Sequence, residues 1–327
     1  PMIIVDADAH VLEPSDTWQK YMEPNLRDRA IRIEKDAQGV EFLLVDGEPY
    51  LALRGRLGAL GGIGMDSEEL MTVGQRSYED GCPLGGYDPA ARLAVMDDEQ
   101  IDIALLYPTI GIAWEGMVRD PKIATAYCRA YNRWLVDFCS HDRRRLVPVA
   151  HICLKDPEGA VEEVKRARKD GCAGVYLSPD PPARDGRQFD DPALVPFWET
   201  VQELDMPIAF HVVARSSSVL DPWVNDHGGG VGSEVFSFAF LALDVMAAFT
   251  SMMTRGMFET YPRLRCAVLE AGSNWITAWL DRLDHKSEVM RAFSKMKLLP
   301  SEYFKRQCVI SAEPDESITA QIIEHLG

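Results

Sequence analysis

Short runs of β-branched and apolar residues recur along this chain, each followed by a polar or Gly/Pro loop. The runs are Ile3–Asp8, Ile101–Pro108, Leu146–Ile152, Gly174–Ser178, Pro207–Val212, Cys266–Glu270 and Cys308–Ser311. Helical hydrophobic spacing follows most of them, over Ala124–Ser140, Pro157–Asp170, Pro192–Asp205, Trp275–Lys286 and Glu316–Leu326. Gly or Pro marks the joins, as in Lys169-Asp170-Gly171 and Asp205-Met206-Pro207. Strands alternating with helices predict a parallel sheet with crossover helices. Seven runs are visible, and a closed (β/α)8 barrel needs eight. The last helical pattern ends at Gly327, which reads as its cap. The expected fold is an α/β (β/α)8 TIM barrel lacking its eighth βα unit in this chain; an open seven-stranded sheet is the alternative.

The first two strand runs are far apart for a βα connection. Within that stretch Glu41–Val45, Asp46-Gly47 and Glu48–Leu53 carry a hairpin signal, because Asp-Gly supplies the positive φ angles of a type I′ turn. Gly55–Gly64 follows, glycine-rich but without the strand–loop–helix context of a phosphate-binding loop, so it reads as a lid. His227-Gly228-Gly229-Gly230 is a second lid candidate. The expected organisation is one domain over 1–327, with a hairpin-and-lid insertion at about 14–98.

Composition narrows the partners. The chain has 327 residues, 46% of them hydrophobic and 26% charged, which excludes a disordered or fibrous protein. Its 51 acidic against 34 basic residues give a net charge of −17, a field that repels nucleic-acid backbones. There is no run of 18 apolar residues, so no membrane span is expected. Seven scattered cysteines with no CxxC pair suit a reducing, cytoplasmic setting better than a disulfide framework. The start lacks the pattern of a signal peptide and has no initiator Met, which reads as a trimmed or fragmentary chain.

Acids and imidazoles collect at the ends of the strand runs. The first ends Asp6-Ala7-Asp8-Ala9-His10, and period-two alternation puts Asp6, Asp8 and His10 on one face. Two oxygen donors and an imidazole suit a divalent metal, whereas the bland reading is a capped loop. His211 closes the fifth run, Glu270 the sixth and His151 the third. A buried salt-bridge network would account for such a set, but a perturbed polar cluster in a cleft more often marks a functional site.

These residues also carry a resemblance. Asp6-Ala7-Asp8-Ala9-His10-Val11-Leu12-Glu13-Pro14, Arg92-Leu93-x-x-Met96-Asp97, Ile101-Asp102, Tyr107-Pro108-Thr109, Phe210-His211, Phe258-x-x-Tyr-Pro-Arg-Leu and Leu269-Glu270-Ala271-Gly272 are similar to the amidohydrolase-related group of the amidohydrolase superfamily. That group includes aminocarboxymuconate-semialdehyde and resorcylate-type decarboxylases. The resemblance implies a barrel with a divalent metal, zinc first and manganese second, held here by Asp8, His10 and His211. Asp8-Ala9-His10 departs from the family's His-x-His, and Glu270 stands where the family commonly has a proton-transferring His. The family's last ligand, an Asp of strand eight, would lie beyond Gly327, at the end of an apolar strand. Glu313 belongs to the turn with Pro314 rather than to a ligand set. Dimers are common in the family, so a homodimer is a further implication.

Three functions follow. The first is a metal-dependent non-oxidative decarboxylase of a small aromatic or unsaturated acid, with Arg215 clamping a carboxylate. The second is a hydrolase of an ester, lactone or amide, with Glu270 or His151 shuttling protons. The third is a non-catalytic barrel used as a scaffold. Trp18, Trp114, Tyr107 and Trp223 would suit an aromatic substrate, or would anchor loops.

Overall fold

The computed structural model describes residues 3–62, 77–213, 235–236, 239–313 and 316–326. Two compact units, Pro1–Val175 and Tyr176–Gly327, divide the chain. In the first, β1 (Val5–His10) is followed by a small antiparallel sheet of β2 (Arg32–Lys35), β3 (Glu41–Val45) and β4 (Glu48–Tyr50). The β3–β4 turn is the Asp46-Gly47 pair, with φ of 53° and 82°, the two left-handed residues that a type I′ turn requires. Residues 57–61 of the glycine-rich stretch form one helical turn; 63–76 lie outside the described residues.

The chain then enters β5 (Ile103–Tyr107) and β6 (Leu146–His151), and β1, β5 and β6 pair in parallel. Asp120 starts the Pro121–Cys139 helix: its side chain accepts from the Lys122 N–H at 2.9 Å, and Pro121 supplies a pre-set φ. The helix therefore begins three residues before its apolar pattern does. Tyr131, Leu135 and Phe138 on its inner face pack with Ala9, Ala104, Leu106 and Leu146 of the strands. The Pro157–Asp170 helix ends on Gly171 at φ 111°, a left-handed cap that suits glycine.

β7 (Gly174–Leu177) spans the division between the units. The second unit holds β8 (Ile208–His211), β9 (Cys266–Leu269) and β10 (Cys308–Ile310), parallel and in register, with Ile208 and Cys308 both opposite Cys266. The Val195–Glu203, Leu243–Thr254 and Ile276–Val289 helices accompany them. Phe189, Phe197, Trp198 and Phe210 form an aromatic core there, with ring centroids 4.9–6.1 Å apart in the pairs in contact. Seven parallel strands joined through helices make the chain an α/β, incomplete TIM barrel. Among the described residues there is no eighth parallel strand.

Candidate metal and proton-transfer site

In the first unit the site starts at the C-terminal end of β1. Pairing with β5 runs Asp6↔Ala104, then Ala9↔Leu106, so three steps on β1 oppose two on β5. The shift concerns pairing with β5; Asp6, Asp8 and His10 are all half-buried, and Val5 and Ala7 exposed, as alternation predicts. Asp6 turns back locally, its carboxylate accepting the Asp8 N–H at 3.2 Å. Asp8 and His10 remain together at the strand end, both half-buried.

The His10 ring is oriented by the chain that follows β5. Its Nδ1 lies 2.9 Å from the Pro108 carbonyl oxygen. A carbonyl only accepts, so Nδ1 carries the proton and Nε2 is the nitrogen suited to a metal. Arg92 donates to the carbonyl of His10 itself. Beneath this loop Glu13 is 0% exposed, and its carboxylate accepts from the backbone N–H groups of Thr109 (3.2 Å), Ile110 (2.8 Å) and Gly111 (3.1 Å). Burial pushes the Glu13 carboxyl up, against those backbone bonds. The Tyr107 phenol is also raised, by burial first and by the Asp8 charge second.

His151 ends β6 as expected, but it turns into the protein. It is 0% exposed, and its Nε2 lies 2.7 Å from Oε1 of buried Glu115. The ring packs against Trp114 and Tyr131, with centroids 5.2 and 6.1 Å away. Asn132 clamps its backbone from both sides, accepting from the His151 N–H at 2.8 Å and donating to its carbonyl at 3.1 Å.

In the second unit His211 closes β8, 0% exposed, with Nδ1 2.7 Å from the Val212 carbonyl oxygen. Nδ1 is again the protonated nitrogen. Its Nε2 lies 2.6 Å from Oε2 of Glu270, and Tyr176 stands edge-on at 6.3 Å. A bare imidazole nitrogen and a carboxylate oxygen are both acceptors, so so short an approach needs a shared proton or cation. Glu270, with its side chain 45% exposed, can exchange protons with solvent.

Glu270 has φ 45°, left-handed for a residue with a Cβ, at a cost of roughly 1–3 kcal/mol. The surrounding turn sustains it. The Glu270 N–H donates to Ser311 Oγ at 3.0 Å. Glu316 accepts from the N–H and hydroxyl of Ser273, both at 2.6 Å, and from the N–H of Asn274 (2.9 Å) and Glu313 (3.2 Å). Burial works against this carboxylate, but the Ser273, Asn274 and Glu313 hydrogen bonds outweigh it and hold Glu316 below the usual carboxylate range. A carboxylate depressed in the folded state stabilises it above the unfolded pKa, and that contribution is lost as pH falls through the folded value. Glu316→Ala is therefore expected to cost about 1–2 kcal/mol at neutral pH, discounted for partial solvation. The difference from the parent should shrink on acidification below the ordinary value of 4.5. Urea titrations of both proteins between neutral and acid pH measure it.

The other expected residues divide. Arg215, Trp223 and the His227–Gly230 lid candidate lie outside the described residues. Trp18, Trp114 and Tyr107 are buried: Trp18, in the Thr17–Tyr21 helix, donates to the Tyr127 carbonyl at 3.3 Å and ties that helix to the Pro121–Cys139 helix, whereas Trp114 packs edge-on against Tyr127 and anchors a loop. Sequence reasoning did not single out Glu13, Glu115 and Glu316, the carboxylates that accept from the loop after β5, pair with His151 and hold the turn after β9. For Glu13 a signal existed, an acid directly after apolar Val11-Leu12; the others have only distant partners.

The model of the Amidohydrolase family matches residues 5–327. The chain belongs to the Amidohydrolase family. The chain is 27% identical over 205 residues to gamma-resorcylate decarboxylase of Rhizobium radiobacter, covering 60% of this chain and 59% of that one. It thus spans about three-fifths of the length of the first curated relatives it matches. Among solved structures, an amidohydrolase from Mycobacterium avium subsp. paratuberculosis K-10 superposes with a TM-score of 0.78 at 22% identity, over 98% of this chain and 85% of that one. The 5-carboxyvanillate decarboxylase of Novosphingobium aromaticivorans DSM 12444, complexed with manganese and 4-hydroxy-3-methoxy-5-nitrobenzoic acid, gives a TM-score of 0.67 at 20% identity, over 99% and 82%. At these identities the structural likeness establishes the fold. No helix among the described residues is long and apolar enough to cross a membrane.

Proposed function

We propose that this member of the Amidohydrolase family is a metal-dependent, non-oxidative decarboxylase of a small aromatic or unsaturated carboxylic acid. The observation that carries the reading is the matched setting of two imidazoles at parallel-strand ends. His10 and His211 each commit Nδ1 to a backbone carbonyl, at 2.9 and 2.7 Å, the arrangement that readies Nε2 for a metal. With Asp8 as oxygen donor, the proposed ligands Asp8, His10 and His211 form a mixed set that suits zinc or manganese. The unbroken family match from 5 to 327 supports reading both units as one barrel domain.

The metal, when bound, supplies Lewis-acid polarisation and orientation of the substrate's oxygens. The protein's own part is positioning and proton management. Glu270 holds a proton at Oε2 beside His211 and delivers it to the substrate carbon that loses CO₂. Arg215 clamps a substrate carboxylate. His151, paired with Glu115, serves as an internal proton partner.

Glu270 also favours a second reading. A half-exposed carboxylate beside a ligand imidazole can act as the base for water in ester, lactone or amide hydrolysis. One experiment separates the two. The protein is incubated with a panel of hydroxybenzoates and unsaturated diacids, and released CO₂ is measured before and after treatment with a chelator. The expected result is CO₂ release that the chelator abolishes and Mn²⁺ or Zn²⁺ restores. Metal-dependent cleavage of ester or lactone substrates without CO₂ from any acid would replace the decarboxylase by the hydrolase. Turnover undiminished after complete metal removal would sink both.

A further inference from the structure

We infer that Glu13 is a positioning residue for His10: its buried carboxylate fixes the loop whose Pro108 carbonyl selects the Nδ1–H tautomer of His10. The inference rests on the proposed role of His10 as a metal ligand. Every link lies within the first unit. Glu13 follows buried Val11 and Leu12 and is itself fully buried, close enough to the buried Tyr78 phenol to raise it, a setting where burying a carboxylate carries a cost. The acid adds an anchor for three consecutive N–H groups, those of Thr109, Ile110 and Gly111. The carbonyl just before this anchored run, Pro108, is the one that receives His10 Nδ1.

The loop has little room to shift. A Cβ on Gly111 would stand 2.5 Å from Pro108 Cβ and 3.2 Å from His151 Nδ1. With the Arg92 guanidinium on the His10 carbonyl, both the ring and the backbone of the ligand residue are held from outside its own strand. Releasing the Glu13 anchor frees the Pro108 carbonyl to rotate, and His10 then loses its reason to keep the proton on Nδ1. The ring would drift toward the Nε2–H tautomer, which cannot bind a metal through Nε2.

The test compares the full chain with Glu13→Gln, which keeps the size but places amide hydrogens against N–H donors. Two readouts are taken: affinity for Mn²⁺ alone and Zn²⁺ alone by chelator competition, and the His10 tautomer in the metal-free protein from long-range ¹H–¹⁵N spectra of ¹⁵N-histidine-labelled protein. Glu13→Gln is expected to weaken metal binding about 10–100-fold, the usual effect of removing a group that orients a ligand. His10 should move from Nδ1–H toward Nε2–H. Unchanged affinity with His10 still in the Nδ1–H form would overturn the inference, since a purely stabilising Glu13 alters neither. If the parent protein binds neither ion, the metal reading fails, and the tautomer spectrum alone decides the role of Glu13. If Glu13→Gln does not fold, Glu13→Asp, which keeps the charge but withdraws it by one methylene, is measured in the same way. A partial tautomer shift supports the inference, and none overturns it.

Discussion

Glu270→Gln is expected to lower turnover by about 10²–10⁴, the range for loss of a general acid or base, while leaving metal uptake intact. The substitution keeps the side chain's length and shape, and Glu270 is not among the proposed ligands, so His211 Nε2 stays available to the metal. What disappears is the capacity to hold and release a proton at Oε2. The backbone strain at φ 45° is the same for Gln as for Glu, and the Ser311 hydroxyl still receives the residue's N–H, so the turn should persist. Rates with the most active acid of the panel, together with metal content by elemental analysis, check this. Near-parental turnover with a full complement of metal would remove Glu270 from the chemistry and leave it a structural turn residue.

The largest expected loss of stability is at Glu163, on the Pro157–Asp170 helix. Its side chain is 1% exposed and accepts from Arg166 Nε at 2.8 Å, Arg129 Nε at 3.4 Å and Asn132 Nδ2 at 2.7 Å. Arg166 and Arg129 keep Asp170 and Glu23, but Asn132 is left without its buried acceptor, and Glu163→Ala should cost about 1–3 kcal/mol. The damage should extend to β6, because Asn132 then loses the acceptor that orients the amide holding both backbone groups of His151. Urea unfolding and amide exchange at His151 measure the two effects. A loss below about 1 kcal/mol would show that the Asn132 amide is not stranded.

Much of this fold is local and could be read directly. Val, Ile and Leu runs alternating with helical spacing define the seven strands to within a few residues, and Asp46-Gly47 defines its turn through the backbone freedom of two residues. Asp8, His10, His151, His211 and Glu270 were legible as strand-end polar groups because an apolar run that stops on an acid or imidazole stands out. Helix starts were less so: the Asp120 cap precedes the apolar pattern and sets the boundary by a hydrogen bond rather than by periodicity.

By itself, then, the sequence determined the order of the seven parallel strands, the residue types at the strand ends and the family, since each depends on spacing between near neighbours; the Leu243–Thr254 and Pro300–Gln307 helices and β2 were not read from it. Tertiary structure alone decided what those end groups do. The β1 register shift between Asp6 and Ala9 is set by pairing with β5 and has no signal in the alternation of the strand itself. Glu115 claims His151 across 36 residues, Glu13 reaches Gly111 across 98, and Glu316 reaches Ser273 across 43. No periodicity records such partners. They are chosen by which backbone N–H groups and imidazoles a folded loop brings within about 3 Å of a carboxylate that has left water, where an unmade hydrogen bond is costly.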